Sequence, residues 1–236
     1  SSAREMSSSE REACRQSLGL SGCVFVFVGR LWKGKGLDEL LTAYRNLEAE
    51  VGDKISLLII GDGVDEHHYR HLFESLPRVV MPGFVQPAEL PRWYALADCL
   101  VFPTHGDPNG LVVEEALAAG LPVIVSDAAG DIASRVPEGI AGYVFPVGSA
   151  SDLQERMVRV ALEPALRPSP ELTATMSVTG YATDFETFVA EVMDRDRTSG
   201  LSAGVCLVLG HVALLVARAQ RWRPAPYIDA RQSGNP

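Results

Sequence analysis

The chain alternates short, continuous apolar runs, broken at most by a single serine, with longer stretches in which apolar residues recur every three or four positions. The continuous runs are 24–28 (VFVFV), 55–60 (ISLLII), 79–81 (VVM), 99–102 (CLVF), 122–126 (PVIVS) and 142–145 (GYVF). Runs with no polar face suit strands covered on both sides. Between them, Leu37, Leu40, Leu41, Tyr44 and Leu47 stripe one side of a helix. A second helix is predicted over 149–162, with Ser149 and Asp152 in capping-box register and Leu153, Met157 and Val160 on one side. Strand and helix in alternation imply right-handed crossovers, and so an α/β fold with a doubly wound, mainly parallel sheet of about six strands. Such a sheet binds ligands beyond the carboxyl ends of its strands. The candidate binding loops are therefore GRLWKGKG, GDGVD (which opens at Gly61), GFVQ, THGDPNG and SDAAG.

The flanks read differently. Residues 1–22 are polar, with Ser9 and Glu12 in capping-box register and Gly19 placed to end a short helix, and form a linker that folds locally. The sheet domain covers 23–165. Residues 166–199 hold a connection rich in Pro, Ser and Thr, then a terminal helix over 182–193 with Phe185, Phe188, Val189 and Val192 at helical spacing. Residues 200–236 are apolar, then basic. The run 201–217 is interrupted only by Ser202 and His211 and is flanked by Arg195, Arg197, Arg218, Arg221 and Arg223. As a helix it would span about 25 Å, short of the roughly 30 Å hydrocarbon core. A membrane span, a helix on a membrane surface or against a partner, and a packed tail all stay open for it.

With 236 residues, 47% hydrophobic and 22% charged, the chain has material for one sizeable core with tails. Its formal charge of -9 argues against a nucleic-acid partner, which needs a broad basic face. The cysteines, Cys14, Cys23, Cys99 and Cys206, show no Cys-x-x-Cys pairing, which points to a reducing, cytoplasmic setting. Cys23 and Cys99 stand at the edges of apolar runs and are expected to be buried as small hydrophobes. The chain opens without Met and without an apolar leader, and reads as a piece of something longer or a trimmed chain.

The densest chemistry lies in HGDPNGLVVEEALAAGLPVIVSD, residues 105–127. Pro108, Asn109 and Gly110 are predicted to turn the chain into a helix whose first N–H groups, helped by the helix dipole, make an anion site suited to phosphate. Asp107 stands just before that helix and Glu115 about one turn inside it, one carboxylate on each side of a bound diphosphate. Carboxylates accept from hydroxyls, so ribose or sugar hydroxyls are their natural partners. In the first loop Gly29, Gly34 and Gly36 let backbone approach a ligand, Arg30 can fork onto phosphate oxygens, and Lys35 adds a point charge. A glycosidase-like carboxylate pair is the rival for Asp107 and Glu115, and the neighbouring cations and helix start argue against it. His67, His71 and Glu74 have a spacing that could bind zinc, but a mostly polar helix is better read as a solvated face. The Asp194–Asp196 Asp-x-Asp ends a charged helix rather than a buried strand and is discounted as a metal site. Trp32 and Trp93 are expected in core or half-buried packing.

Taken in order, GRLWKGKG, LLIIGDG, MPGFVQPAELPRWYALADCLVFPT and DPNGLVVEEALAAGLPVIVSD resemble the carboxyl-terminal, donor-binding domain of family 4 retaining glycosyltransferases of the GT-B fold. The resemblance covers about residues 23–165. It implies a single Rossmann-like domain and a nucleotide-diphospho-sugar donor of UDP, GDP or ADP type, with no cofactor and no metal. Arg30 and Lys35 match the family's diphosphate-binding cations, Glu115 its ribose-binding acid, and Asp107 the acid that holds the donor sugar. Gly29, Gly61 and Asn109 join the donor site, the backbone of Gly110, Leu111 and Val112 would meet sugar and phosphate, and Val85 and Gln86 would frame the base. The mechanism implied is retaining transfer, with Arg30, Lys35 and the helix start stabilising the departing nucleotide diphosphate. Asp107 replaces the usual Glu, and Asn109 a commonly aromatic residue, which bears on donor-sugar choice. The family's amino-terminal domain has no counterpart here, so an acceptor-binding domain or subunit is the expected partner, with membrane-surface contact through 201–217 left open. The alternatives are a nucleotide or nucleotide-sugar binding module without transfer activity and a sugar-nucleotide epimerase. The implied location is cytoplasmic, with the cytoplasmic face of a membrane left open by the tail.

Overall fold

A computed structural model describes residues 6–107, 110–134 and 136–162. Its strands are β1 (Cys23–Val28), β2 (Ile55–Ile60), β3 (Val79–Gly83), β4 (Cys99–Phe102), β5 (Val123–Ser126) and β6 (Gly142–Phe145). They form one six-stranded sheet in the order β3-β2-β1-β4-β5-β6, with every pairing parallel. This is the doubly wound α/β sheet that the alternating pattern predicts. The order reverses between β1 and β4, so the loops leaving those strands lie side by side at the switch point, where such sheets bind ligands.

β2, β4 and β5 are buried along their whole length and β1 from Val24 onward, as expected for strands covered on both faces. β3 is only half-buried and extends past Met81 through Pro82, a residue tolerated because the strand lies at an edge. The helices are α1 (Ser8–Ser17), α2 (Leu37–Val51), α3 (Glu66–Phe73), α4 (Leu90–Tyr94), α5 (Leu111–Ala118), α6 (Asp131–Ser134) and α7 (Ala150–Leu162). Phe25, Phe27, Leu57, Ile59, Val101 and Phe145 form a buried cluster with the predicted stripes of α2 and α7. Strand side chains alternate, so Val26, Leu58, Leu100 and Val123 face the opposite side, where α5 packs on β4 and β5.

α1 is capped by Ser7, with Glu10 completing the capping box, two residues earlier than the Ser9 and Glu12 frame. The helix is fastened to the sheet by two arginines. Arg11 donates to the Ala95 and Ala97 carbonyls and to Asp98, while Arg15 donates to the Leu96 carbonyl and to Asp98. Asp98 also accepts from the Val24 N–H at 2.8 Å. Burial works against its charge, but Arg15, the Val24 N–H and Arg11 outweigh it and hold the carboxyl below its ordinary range. Of the cysteines, Cys99 is fully buried as expected, whereas Cys23, at the start of β1, is only half-buried, and desolvation still pushes its thiol up to about 12.

Among the described residues no helix is long and apolar enough to cross a membrane. The predicted helix 182–193, the Asp194–Asp196 motif and the 201–217 run lie outside the described residues.

Candidate functional site

Two loops meet at the switch point, and their backbones join them. The β1 loop makes a short 3-10 turn over Lys33–Lys35, and Gly36 then opens α2 with a φ of 70°. A Cβ on Gly36 would lie 1.9 Å from the Pro103 carbonyl oxygen of the β4 loop, so this close approach requires glycine. The Gly34 carbonyl accepts from the His105 N–H at 2.9 Å and from the Thr104 hydroxyl at 3.4 Å. Ser126, at the end of β5, donates its hydroxyl to the Thr104 carbonyl and ties the next strand to the same loop.

This junction brings Lys35 against Asp107. Lys35 Nζ lies 2.6 Å from Asp107 Oδ2, with the two side chains only 15% and 20% exposed. The ammonium also sits 5.5 Å from the centre of the Phe102 ring, a cation–π distance. The other oxygen of Asp107, Oδ1, accepts from the Gly110 N–H at 2.9 Å. Asp107 thus ends the loop where α5 begins, while Gly110 caps the helix with a left-handed φ of 57°. The N–H groups of Leu111 and Val112 belong to the first helical turn, which has no acceptors of its own within the helix. Asn109 and Pro108 lie outside the described residues.

One turn into α5, Glu115 Oε2 accepts a hydrogen bond of 3.0 Å from the Tyr94 hydroxyl at the end of α4. Tyr94 is 3% exposed, and its phenol is pushed well above its ordinary range, first by burial and then by the Glu115 carboxylate. It remains a neutral donor.

The other predicted residues surround a separate cleft of about 230 Å³ at the ends of β1, β2 and β3. Gly29, Arg30, Gly61, Phe84 and Val85 line it, and Arg30 is exposed. Gln86 is exposed on the loop beyond β3 and does not line the cleft. The structure therefore gathers the predicted residues into two groups, Gly29, Arg30, Gly61 and Val85 around the cleft, and Lys35, Asp107 and Gly110 at the α5 start. Trp32 departs from the packing expected of it. It is 44% exposed beyond the carboxyl end of β1, its ring passing close over Gly34, whereas Trp93 is half-buried as expected. His67, His71 and Glu74 are exposed, and Glu74 pairs with Arg70 at 3.0 Å.

Two pairs carry no signal that the spacing of residues reveals. Tyr94 and Glu115 belong to different helices, and Glu39 of α2 meets the loop residue His105, whose Nε2 lies 2.9 Å from Glu39 Oε1. Both depend on the packing of α2, α4 and α5 around the switch point.

Comparison with known proteins places the chain in a family. Residues 22–163 match the family model described as Glycosyl transferases group 1. A D-inositol 3-phosphate glycosyltransferase of Kribbella flavida is 28% identical over 209 residues, covering 77% of this chain and 49% of that protein. The C-terminal domain of a group 1 family glycosyl transferase of Francisella tularensis superposes with a TM-score of 0.58 at 20% identity, covering 77% of this chain and 94% of that domain. Anabaena HepE, in complex with UDP and glucose, superposes with a TM-score of 0.56 at 22% identity over 80% of this chain and 52% of its own. The chain spans about half the length, or less, of the curated relatives it matches.

Proposed function

The chain belongs to the group 1 glycosyl transferases, and from that premise we propose that it is the donor-binding domain of a retaining, metal-independent family 4 enzyme. It would hold a nucleotide-diphospho-sugar whose sugar passes to an acceptor carried by an amino-terminal domain or partner. The observation that carries this reading is the meeting of Lys35 and Asp107 at 2.6 Å, at the switch point and at the start of α5. A cation, a carboxylate and a helix N-terminus converge there with complementary preferences for phosphate and for sugar hydroxyls.

Donor binding exchanges one set of contacts for another. The diphosphate takes the Lys35 ammonium and the first N–H groups of α5, and Asp107 turns to a hydroxyl of the sugar. Arg30, at the end of β1, adds a second cation. As the bond from the anomeric carbon to the phosphate oxygen breaks, negative charge gathers on the leaving diphosphate, and these groups stabilise it most in the transition state. The cleft between Arg30 and Val85 takes the base, and Glu115 takes the ribose.

The acceptor half is supported by the sheet's binding edge. Trp32, Val64, Phe84 and Leu111 follow β1, β2, β3 and β4 in turn and are 44%, 80%, 59% and 62% exposed. Exposed apolar side chains in the segments that follow four strands suit contact with another protein surface. Free thiols at Cys14, Cys23 and Cys99 support a cytoplasmic place of action.

The test is a thermal-shift panel with UDP, GDP and ADP and their sugar conjugates, with and without chelator. A ligand at 100 times its Kd adds about 2.7 kcal/mol of stability. The expected result is a shift with one base, kept in chelator and lost in Arg30→Ala and Lys35→Ala. A folded protein that responds to none of these nucleotides would overturn the proposal. Stabilisation with no turnover, once an acceptor domain is supplied, would leave a binding module.

A further inference from the structure

Glu115 is exposed on α5, and an exposed glutamate ordinarily samples several rotamers, with conformational entropy to lose on binding. Here one of its oxygens is held. The Tyr94 hydroxyl donates to Oε2 at 3.0 Å, and among the described residues this is the only hydrogen bond the carboxylate makes. The ring behind that hydroxyl is 3% exposed and sits at the end of α4, so the donor itself has little freedom to move. One carboxylate oxygen is thereby anchored and the other is left for a ligand.

We propose that Tyr94 is a positioning residue for Glu115. Its hydroxyl fixes the carboxylate in the orientation that receives the ribose hydroxyls, and so contributes to the choice of ribonucleotide over deoxyribonucleotide. The assignment rests on the donor-site reading above. A neutral phenol suits this role, because burial pushes its ionisation well above the usual range and it donates throughout the working pH range. A cation in the same place would compete with the ribose for the carboxylate's charge. The competing explanation is that a buried phenol merely needs an acceptor. The two differ in what they predict for a ligand without ribose hydroxyls.

The experiment is calorimetric titration of wild type, Tyr94→Phe, Glu115→Ala and the double variant. The ligands are UDP, GDP and ADP, each beside its 2′,3′-dideoxy counterpart. For whichever diphosphate the wild type binds, Tyr94→Phe should weaken affinity about three- to tenfold, the effect of losing one hydrogen bond. It should leave the dideoxy ligand unchanged and add nothing in the Glu115→Ala background, where the phenol has no carboxylate to hold. Equal losses on the two ligands, or a full additional loss in the double variant, would show a purely structural role and overturn the assignment. Unchanged binding by Tyr94→Phe beside a loss in Glu115→Ala would also overturn it while leaving the donor site standing. Wild type that binds none of the three diphosphates removes the donor-site reading and this assignment with it. Should Tyr94→Phe not fold, the Glu115 side-chain NMR couplings of wild type without ligand carry the test: a single rotamer is expected, and averaging among several would overturn the assignment.

Discussion

Lys35 and Asp107 satisfy each other across the two loops, so each must be released before it can serve a ligand. Their side chains are 15% and 20% exposed, enough burial for the pair to matter and enough solvent to limit its cost. Lys35→Ala should destabilise the chain by about 1–2 kcal/mol, between the values for surface and buried pairs, because Asp107 keeps the Gly110 N–H. Asp107→Asn acts in the opposite direction on nucleotide. The amide still accepts from Gly110, but Lys35 is no longer neutralised, and the phosphates gain a freer cation. Affinity for the bare nucleoside diphosphate should rise about fivefold, close to 1 kcal/mol, while the extra affinity conferred by the sugar is lost. Parallel titrations with the diphosphate and its sugar conjugate measure both. Weaker binding of the bare diphosphate by Asp107→Asn would mean that the carboxylate does not compete for Lys35. Chain position reveals only half of this site: the two residues can be assigned to loops flanking one switch point, but their contact across 72 positions depends on how closely those loops pass.

At the scale of elements, that approach is set by Gly36. Its φ of 70° is strained for any other residue, and an added Cβ would meet the Pro103 carbonyl oxygen at 1.9 Å. Gly19 offers a control, with the same φ of 70° and nothing within 4 Å. Gly36→Ala should cost about 2–4 kcal/mol in urea unfolding and weaken nucleotide binding, whereas Gly19→Ala should cost about 1 kcal/mol and leave binding intact. Similar costs at the two positions would show that strain alone, and not separation of the loops, is at work. The attachment of α1 gives a pH test. Asp98 has its folded pKa depressed, so its contribution is fully present above the unfolded value near pH 4 and is lost as pH falls through the lower folded value. Wild type should exceed Asp98→Asn by about 2–4 kcal/mol at pH 7, because the variant leaves Arg15 buried without a counter-charge. The gap should close below pH 4; a gap that is constant with pH, followed by thermal melts, would mean that the carboxylate's charge is not what holds the helix. The two capping frames of α1 show where sequence patterns stop. Ser7 with Glu10 and Ser9 with Glu12 are locally equivalent, and nothing in either frame tells where Arg11 and Arg15 must reach the carbonyls and carboxylate beyond α4.

For the whole molecule, the strands are legible because a run apolar at every position has only one comfortable place, inside a sheet covered on both faces. The apolar run at β3 is shorter than the strand because its edge position relaxes that demand and admits Pro82. Trp32 escapes the same logic because an aromatic residue is usually buried for the stability of its own domain, and here it stands exposed beyond β1. Its exposure, with that of Val64, Phe84 and Leu111, turns the sheet's ligand-binding edge into the surface on which the proposed acceptor half would rest. Val64 is the sharpest probe, since it is 80% exposed and does not line the cleft by Arg30. Val64→Asp should leave the isolated chain's stability within about 0.5 kcal/mol and its nucleotide affinity unchanged, as surface substitutions do. In an enzyme completed by fusing the amino-terminal domain of a relative, the same substitution places a carboxylate in a closing apolar contact. Transfer should fall at least several-fold there, with a higher KM for acceptor, because charge burial opposes closure. If the completed enzyme transfers sugar equally well with valine or aspartate at this position, the edge is not a domain contact, and the acceptor must approach the donor from another side.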